Sequence, residues 1–187
     1  RLDVPLPAMG VAGFDCDLGS EETGLQEAFH RFARDVARPL GREIDRLPAA
    51  QAYDAGSPFW EYHLEAQKLN FDPEALSALP PAMAARMEGL AFAELGWGDA
   101  GLAVSTGAGG MPMLMAHASG QQELIDLCAG KLGCWIGTQP DRGSDCLLLY
   151  PEERYPGSQG NKGNLQARFS GDEIIFNGQT SAWVSNG

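Results

Sequence analysis

Residues 134–145, CWIGTQPDRGSD, carry the pattern that decides the fold of this chain. They begin with a short apolar run, turn at Thr-Gln-Pro and end in an Arg-Gly-Ser-Asp loop, which is typical of a strand that leads into a tight turn. A second apolar run at 181–184 is followed by Ser-Asn-Gly. Together these two runs predict that the later part of the chain forms strands.

The region after residue 131 consists of short apolar or alternating runs separated by Gly, Pro, Asn and Ser, a composition typical of strands and turns. The predicted strands are 134–136, 146–150, 165–169, 173–176 and 181–184. Residues 170–172 and the pair Asn177-Gly178 predict hairpin turns between them. The sequence therefore predicts an antiparallel sheet in this region.

The region before residue 131 has the periodicity of helices instead. Apolar residues recur at three- and four-residue steps over 21–46, which predicts an amphipathic helix with a kink at Pro39. Its apolar face contains Phe29, Phe32, Val36, Leu40 and Ile44. Its arginines, which we interpret as a solvated face, are Arg31, Arg34, Arg38, Arg42 and Arg46. Further helices are predicted over 58–69, 82–97, 100–109 and 120–130. Because the helices precede the strands, the sequence predicts an α+β fold rather than a parallel sheet.

The composition limits the function classes. The chain has 187 residues and a net charge of -12, which argues against a nucleic-acid binder, since that affinity comes largely from Lys and Arg. We find no run of about 18 apolar residues and no signal-peptide pattern, so we expect a cytoplasmic protein without a membrane span. The four cysteines, Cys16, Cys128, Cys134 and Cys146, form no Cys-x-x-Cys pair and are interpreted as reduced structural thiols.

Several common site patterns are missing from the sequence. Residues 107–110, Gly-Ala-Gly-Gly, lack the spacing of a dinucleotide-binding loop and are predicted to form a turn at a helix end. His30, His63 and His117 are isolated, so no metal site is predicted. Residues 141–145 lack the ligand positions of a calcium loop, and no Gly-x-Ser-x-Gly elbow is present. The sequence thus disfavours hydrolases and metalloenzymes.

The runs at 134–145 and 183–187 resemble the flavin-binding signature of the acyl-CoA dehydrogenase family, in which an aromatic residue precedes Thr-Glu-Pro and Gly-Ser-Asp, and Trp-Ile-Thr-Asn-Gly follows. The resemblance begins near Leu25. Earlier segments that also resemble the family are Phe32-Ala33-Arg34 with Pro39, Glu94-Leu95-Gly96, Gly110-Met111-Pro112-Met113 and Gly120-Gln121-Gln122-Glu123. The resemblance covers most of the chain and rests on several motifs.

The family resemblance implies a domain organisation. Residues 1–20 are an N-terminal extension, and 21–131 form an all-α helical domain. Residues 132–187 are the start of a middle, flavin-binding β-domain, part of an antiparallel barrel or sandwich, with an atypical insertion at about 146–163. The C-terminal helical bundle of the family, which carries the catalytic Glu, is not present in this chain, so no catalytic residue is expected among the numbered residues.

The resemblance also implies a function, α,β-desaturation of an acyl-CoA thioester with hydride transfer to N5 of FAD. The implied flavin-binding residues are Trp135, Ile136, Gly137, Thr138, Ser144, Trp183, Val184 and Ser185. The implied substrate-contacting residues are Ser105, Arg142 and Ser144. The implied partners are an acyl-CoA, an electron-transfer flavoprotein or similar acceptor, and further subunits in a homo-oligomer, as dimer or tetramer, or in a heteromer.

Several residues depart from the family pattern. Gln139 replaces the usual Glu, Ser185 replaces the usual Thr, and Asp141-Arg142 replace small residues. The small residues on the helix that lines the family's acyl cavity are Ala103, Ser105, Gly107 and Ala108. They suggest a bulky or branched acyl group, although a tight helix crossing explains them equally well.

Two other functions remain open at this stage. One is a flavin monooxygenase with the same fold, which would use reduced flavin and oxygen. The other is a subunit of a heteromer that has lost its own active site, for which Gln139 and Ser185 are mild support.

Overall fold

The computed structural model describes residues 17–71, 76, 78–136, 140 and 164–180. Within these ranges the chain has an α+β architecture of packed helices and a two-stranded antiparallel sheet. The helices are α1 (Ser20–Phe32), α2 (Arg38–Ile44), α3 (Pro58–Gln67), α4 (Pro81–Gly98), α5 (Ala100–Ser119) and α6 (Gln122–Cys128). The strands are β1 (Gln166–Ser170) and β2 (Glu173–Asn177).

The first predicted helix forms, but its irregularity lies before Pro39. A π-helical turn, Ala33–Ala37, joins α1 to α2, and Pro39 occupies the first turn of α2. The helix begins with a capping interaction in which Gly19 N donates to Glu22 Oε2 at 2.8 Å. At the π turn the end of α4 comes close, because a Cβ at Gly98 would lie 2.9 Å from Ala33 O. The wider turn thus coincides with a tight helix contact.

The hydrophobic core lies where α1, α2, α3, α4 and α5 meet. Its buried members are Phe29, Phe32, Ala37, Leu40, Phe59, Tyr62, Ala91, Leu95, Leu102 and Ala103. The predicted apolar face of the first helix is confirmed, since Phe29, Phe32 and Leu40 are buried and Val36 and Ile44 pack against the core. The helical region therefore has a core of its own.

The prediction that residues 107–110 form a turn at a helix end is wrong, and so is the predicted end of that helix at 109. Helix α5 continues through these glycines and through Pro112 to Ser119. It ends at Gly120, which has φ 66°. Tertiary contacts explain the continuation, because a Cβ at Gly107 would lie 3.3 Å from Cε1 of Phe92 and Gly133 N donates to Gly109 O at 3.0 Å. The close packing outweighs the low helix propensity of glycine.

The last helix and its stop signal agree with the sequence prediction. Helix α6 packs beside α5. It ends at Cys128, and Gly130 has φ 67°, the left-handed conformation expected just beyond a helix end. Cys128 and Cys134 are half-buried free thiols. None of the described helices is long and apolar enough to cross a membrane.

The predicted hairpin of 165–169 and 173–176 is confirmed to within one residue at each strand. Strands β1 and β2 are antiparallel, with Phe169 opposite Ile174 and Ala167 opposite Phe176. Gly171, in the turn, has φ 61°. In the predicted strand 134–136 only Trp135 makes a bridge. The predicted strands 146–150 and 181–184 lie outside the described residues.

Candidate functional site

A cleft of about 550 Å³ opens between α2, α3 and the first turns of α5. We call it the α2–α3–α5 cleft. Its walls are mostly apolar: the large apolar residues that line it are Ile44, Tyr53, Phe59, Leu102 and Val104. The polar side chains that line it are Asp45, Asp99 and Ser105. A concave, largely apolar site with a few polar groups is the usual form of a small-molecule binding site.

Asp99 is held at the edge of the cleft by two constraints. It is the N-cap of α5, and its Oδ1 accepts a hydrogen bond from Leu102 N at 2.8 Å. Its other carboxylate oxygen lies against Gly41 of α2, which has no room for a Cβ. The carboxylate therefore joins α2 to the start of α5 and has little freedom to move away from the cleft.

Ser105 lies on α5 and is bonded to a histidine of α3. Its Oγ is 2.9 Å from Nε2 of His63, and Ser105 is 4% exposed. Burial lowers the pKa of His63 to about 4, so the imidazole is neutral at neutral pH. Phe59 packs edge-on against the His63 ring with 4.7 Å between centroids. We interpret the pair as a fixed hydrogen-bonding group of the cleft wall, because so small an exposed fraction of Ser105 does not suit a nucleophile.

Tyr62 of α3 bonds Thr106, the residue that follows Ser105 on α5. Its hydroxyl lies 2.7 Å from Oγ1 of Thr106, which itself donates to Leu102 O at 3.0 Å. Since the Thr106 proton is used in that bond, the Tyr62 hydroxyl is the donor to Thr106. Burial raises the pKa of Tyr62 to about 12, so the phenol stays neutral. Uncharged hydrogen bonds from Tyr62 to Thr106 and from Thr106 to Leu102 thus hold α3 against the start of α5.

A second polar cluster is buried between α1 and α4. Glu94 is 4% exposed; its Oε2 lies 2.8 Å from Nδ1 of His30, and its Oε1 accepts from Nε2 of Gln26 at 3.1 Å. The His30 ring also lies on Trp97, with centroids 4.4 Å apart. The sequence analysis missed this cluster; the available signal was the four-residue spacing of Gln26 and His30 along one side of α1.

The interpretation of Arg38 as part of a solvated face is wrong. Its guanidinium lies 3.9 Å from the centre of the Trp97 ring, and its Nη2 donates to Trp97 O at 2.8 Å. This position combines a cation–π contact with a bond to a carbonyl near the end of α4. The arginine joins α2 to α4, which helical periodicity alone does not reveal.

The structure describes three of the residues that the family resemblance assigned to a site. Ser105 lines the cleft, and Trp135 and Ile136, which follow α6, are 43% and 48% exposed. Of the other small residues on α5, Ala103 belongs to the core and Gly107 packs against Phe92. The predicted site residues that lie outside the described part of the chain are Gly137, Thr138, Arg142, Ser144, Trp183, Val184 and Ser185.

The start of the predicted flavin segment is attached to α5. Gly133, two residues before Trp135, donates its N–H to Gly109 O at 3.0 Å, and it packs against Pro112. Gly109 is one helical turn beyond Ser105 on α5. The segment that leads to Trp135 and Ile136 therefore leaves the helical region beside the helix that carries Ser105.

Comparisons with known proteins add no relative. No family model matches the sequence, no curated protein matches it, and no solved structure matches the fold. The function of the chain therefore has to be inferred from its own residues and their geometry.

Proposed function

We propose that this chain is the N-terminal portion of an FAD-dependent acyl-CoA dehydrogenase. The proposed reaction removes a proton from the α carbon of an acyl-CoA thioester and a hydride from its β carbon. Bound FAD would supply the hydride acceptor at N5. The proposed fold continues from the described hairpin into an antiparallel barrel or sandwich. The motifs at 134–145 and 183–187, and the order of helices before strands, support this proposal.

The observation that carries the proposal is the hydrogen bond between Gly133 N and Gly109 O. Hydride transfer requires the flavin ring and the reacting carbon to be held together in a defined geometry. This hydrogen bond brings the start of the proposed flavin segment to within one turn of Ser105, the proposed substrate residue, on the same helix. If the proposed flavin segment and Ser105 served unrelated functions, nothing would require them to lie close together.

Two of the described residues, Trp135 and Ile136, support the proposed flavin contact. Trp135 and Ile136 are adjacent, large and about half exposed. Because consecutive side chains of an extended segment point to opposite sides, the Trp135 ring would lie near the isoalloxazine while Ile136 would contact it through its main chain. We propose that Trp135, Ile136, Gly137 and Thr138 contact the isoalloxazine together with Trp183, Val184 and Ser185. The hydroxyls of Thr138 and Ser185 would donate to ring positions where negative charge develops on reduction.

We propose substrate contacts for Ser105, Arg142 and Ser144. Arg142 has the fork of donors that binds phosphate in a bidentate manner, and we propose that it meets the phosphate or pantetheine part of CoA. Ser144 would contact both the cofactor and the thioester. We propose no catalytic base in this chain; among the described carboxylates, Glu94 is already bonded to His30 and Gln26.

The test is the visible absorption spectrum of the purified intact gene product, recorded before and after anaerobic addition of a panel of acyl-CoA thioesters. We expect flavin bands that bleach with at least one thioester. Bands that no thioester bleaches, together with oxygen consumption driven by a flavin reductase, would replace the proposal with a monooxygenase. Absence of flavin, with recovery on adding a partner protein, would replace it with a non-catalytic subunit.

A matched pair of variants tests the proposed flavin contact. Thr138→Val removes one hydroxyl and keeps the shape of the side chain, so we expect weaker flavin retention during gel filtration. Thr23→Val makes the same change on the exposed side of α1, where the hydroxyl bonds Gly19 O. Equal flavin content in both variants would contradict the assignment of Thr138.

A further inference from the structure

We propose that Asp45 and Asp99 make the α2–α3–α5 cleft selective for acyl groups with an uncharged aliphatic or aromatic end, and that they exclude acyl groups ending in a carboxylate. The inference rests on the proposed function, since it takes the ligand of the cleft to be the acyl end of a thioester. It adds a substrate class to that function.

The shape of the cleft suits an apolar group. Its volume of about 550 Å³ is within the range of small-molecule sites, and Tyr53, Phe59 and Leu102 give it aromatic and aliphatic walls. Val104 lines it as well and is 54% exposed. An acyl chain that entered would be removed from water together with these side chains, which favours binding in proportion to the apolar area buried.

The charges around the cleft have one sign. Asp45 and Asp99 both line it, and no Lys or Arg is among the described residues that do so. Asp45 also follows the last residue of α2, where the helix dipole contributes partial negative charge. Arg42 and Arg46 are nearby in sequence but exposed, and neither lines the cleft. An incoming carboxylate would meet like charges without a compensating cation.

Asp99 cannot move away from an incoming anion, and the Ser105–His63 pair supplies no positive charge to bind one. The bond from Leu102 N and the contact with Gly41 keep the Asp99 carboxylate in place. His63, which bonds Ser105, is neutral above pH about 4 and so adds no positive charge at neutral pH. The Ser105–His63 pair therefore offsets none of the negative charge of Asp45 and Asp99 at neutral pH.

The experiment compares hexanoyl-CoA with adipoyl-CoA, which have six acyl carbons each and differ by the terminal carboxylate. We expect the intact protein to prefer hexanoyl-CoA in kcat/KM. In the Asp45→Asn, Asp99→Asn double variant the preference should fall by about tenfold, because two repulsions are removed. Asn keeps the N-cap of α5, so the helix start is preserved. The Glu123→Gln, Asp126→Asn double variant, on the exposed surface of α6, is the charge-matched control and should leave the preference unchanged.

A second measurement separates this inference from the proposed function. Hexanol and hexanoate are tested for binding by ligand-observed NMR, with Val104→Trp as the variant that fills the cleft. If no thioester is desaturated but hexanol binds in a Val104-dependent way and hexanoate does not, the selectivity stands and the proposed function fails. If thioesters are desaturated and the double variant keeps the full preference for hexanoyl-CoA, the selectivity is overturned and the function stands.

Discussion

The helical region and the β-hairpin differ in the exposure of their apolar side chains. In the helical region, Phe29 and Phe32 are 4% and 8% exposed, within a core shared by five helices. In the hairpin, Phe169 and Phe176 are 83% and 67% exposed. The register puts Ala167, Phe169, Ile174 and Phe176 on one face of the hairpin.

This difference indicates where the stability of the described part of the chain originates. Helices that bury their apolar faces against each other gain hydrophobic free energy, whereas a two-stranded hairpin with an exposed apolar face is marginally stable by itself. Changes in the helical region should therefore alter the free energy of unfolding much more than equivalent changes in the hairpin.

The largest expected effect comes from the same substitution made in the two regions. Phe32→Ala should lower the free energy of unfolding by about 3–5 kcal/mol, because it removes a buried ring and leaves a cavity. Phe169→Ala should change it by about 0.5 kcal/mol or less, since that ring is already 83% exposed. Urea unfolding followed by circular dichroism measures both. Equal losses would mean that the hairpin face is buried in solution.

Breaking the buried cluster of α1 and α4 should have a smaller effect. Glu94→Ala removes the hydrogen-bond partner of His30 and Gln26, and leaving these buried groups unsatisfied costs about 1–3 kcal/mol. Glu88→Ala, on the exposed side of the same helix, should stay within about 0.5 kcal/mol. The two variants are compared by thermal and urea unfolding. If they unfold alike, the cluster does not hold α1 to α4.

The smallest expected effect is a pH dependence centred on His63. Its pKa is lowered from 6.5 to about 4 in the folded protein, so the unfolded chain binds a proton more readily between these values. Stability is therefore full above pH 6.5 and falls as the pH drops from 6.5 toward 4. The ring is only half-buried, so solvent screening keeps the loss below the limit of about 1.4 kcal/mol per pH unit that a full difference of one proton gives.

Two histidine variants test this pH dependence in urea titrations at pH 7, 6 and 5. His63→Gln should flatten the slope, because the titrating group is gone while a side-chain amide can still bond Ser105. His117→Gln, on α5, is the control and should keep the slope. A slope that survives in His63→Gln would assign the pH dependence to other groups.

The local sequence pattern was sufficient to predict much of the secondary structure. The first helix was predicted at 21–46 and is observed over Ser20–Ile44 with a π turn inside it, and the predicted hairpin is observed within one residue. Both follow from periodicities of 3.6 and 2 residues, which depend on neighbours in sequence. The runs at 134–145 and 183–187, which resemble a flavin-binding signature, are also visible in the sequence, but most of their residues lie outside the described part of the chain, so the flavin site is a proposal.

Predictions failed where distant contacts decide the outcome. Residues 107–110 look like a helix end because glycine has low helix propensity, yet α5 continues because Gly107 packs against Phe92 and Gly109 accepts from Gly133. Arg38 looks solvated because it recurs with other arginines along one helix face, yet it lies on Trp97. No pattern within either segment contains the partner residue.

The candidate site shows the same division. The sequence by itself determined that helices precede an antiparallel hairpin, and it selected Ser105 and Trp135 as residues of interest, since patterns of spacing and motif are properties of the chain. Only the tertiary structure decided that Ser105 bonds His63, that Asp99 is held against Gly41, and that Gly133 is bonded to α5 one turn beyond Ser105. These contacts join residues far apart in sequence, and they form because the helices must pack their apolar faces together.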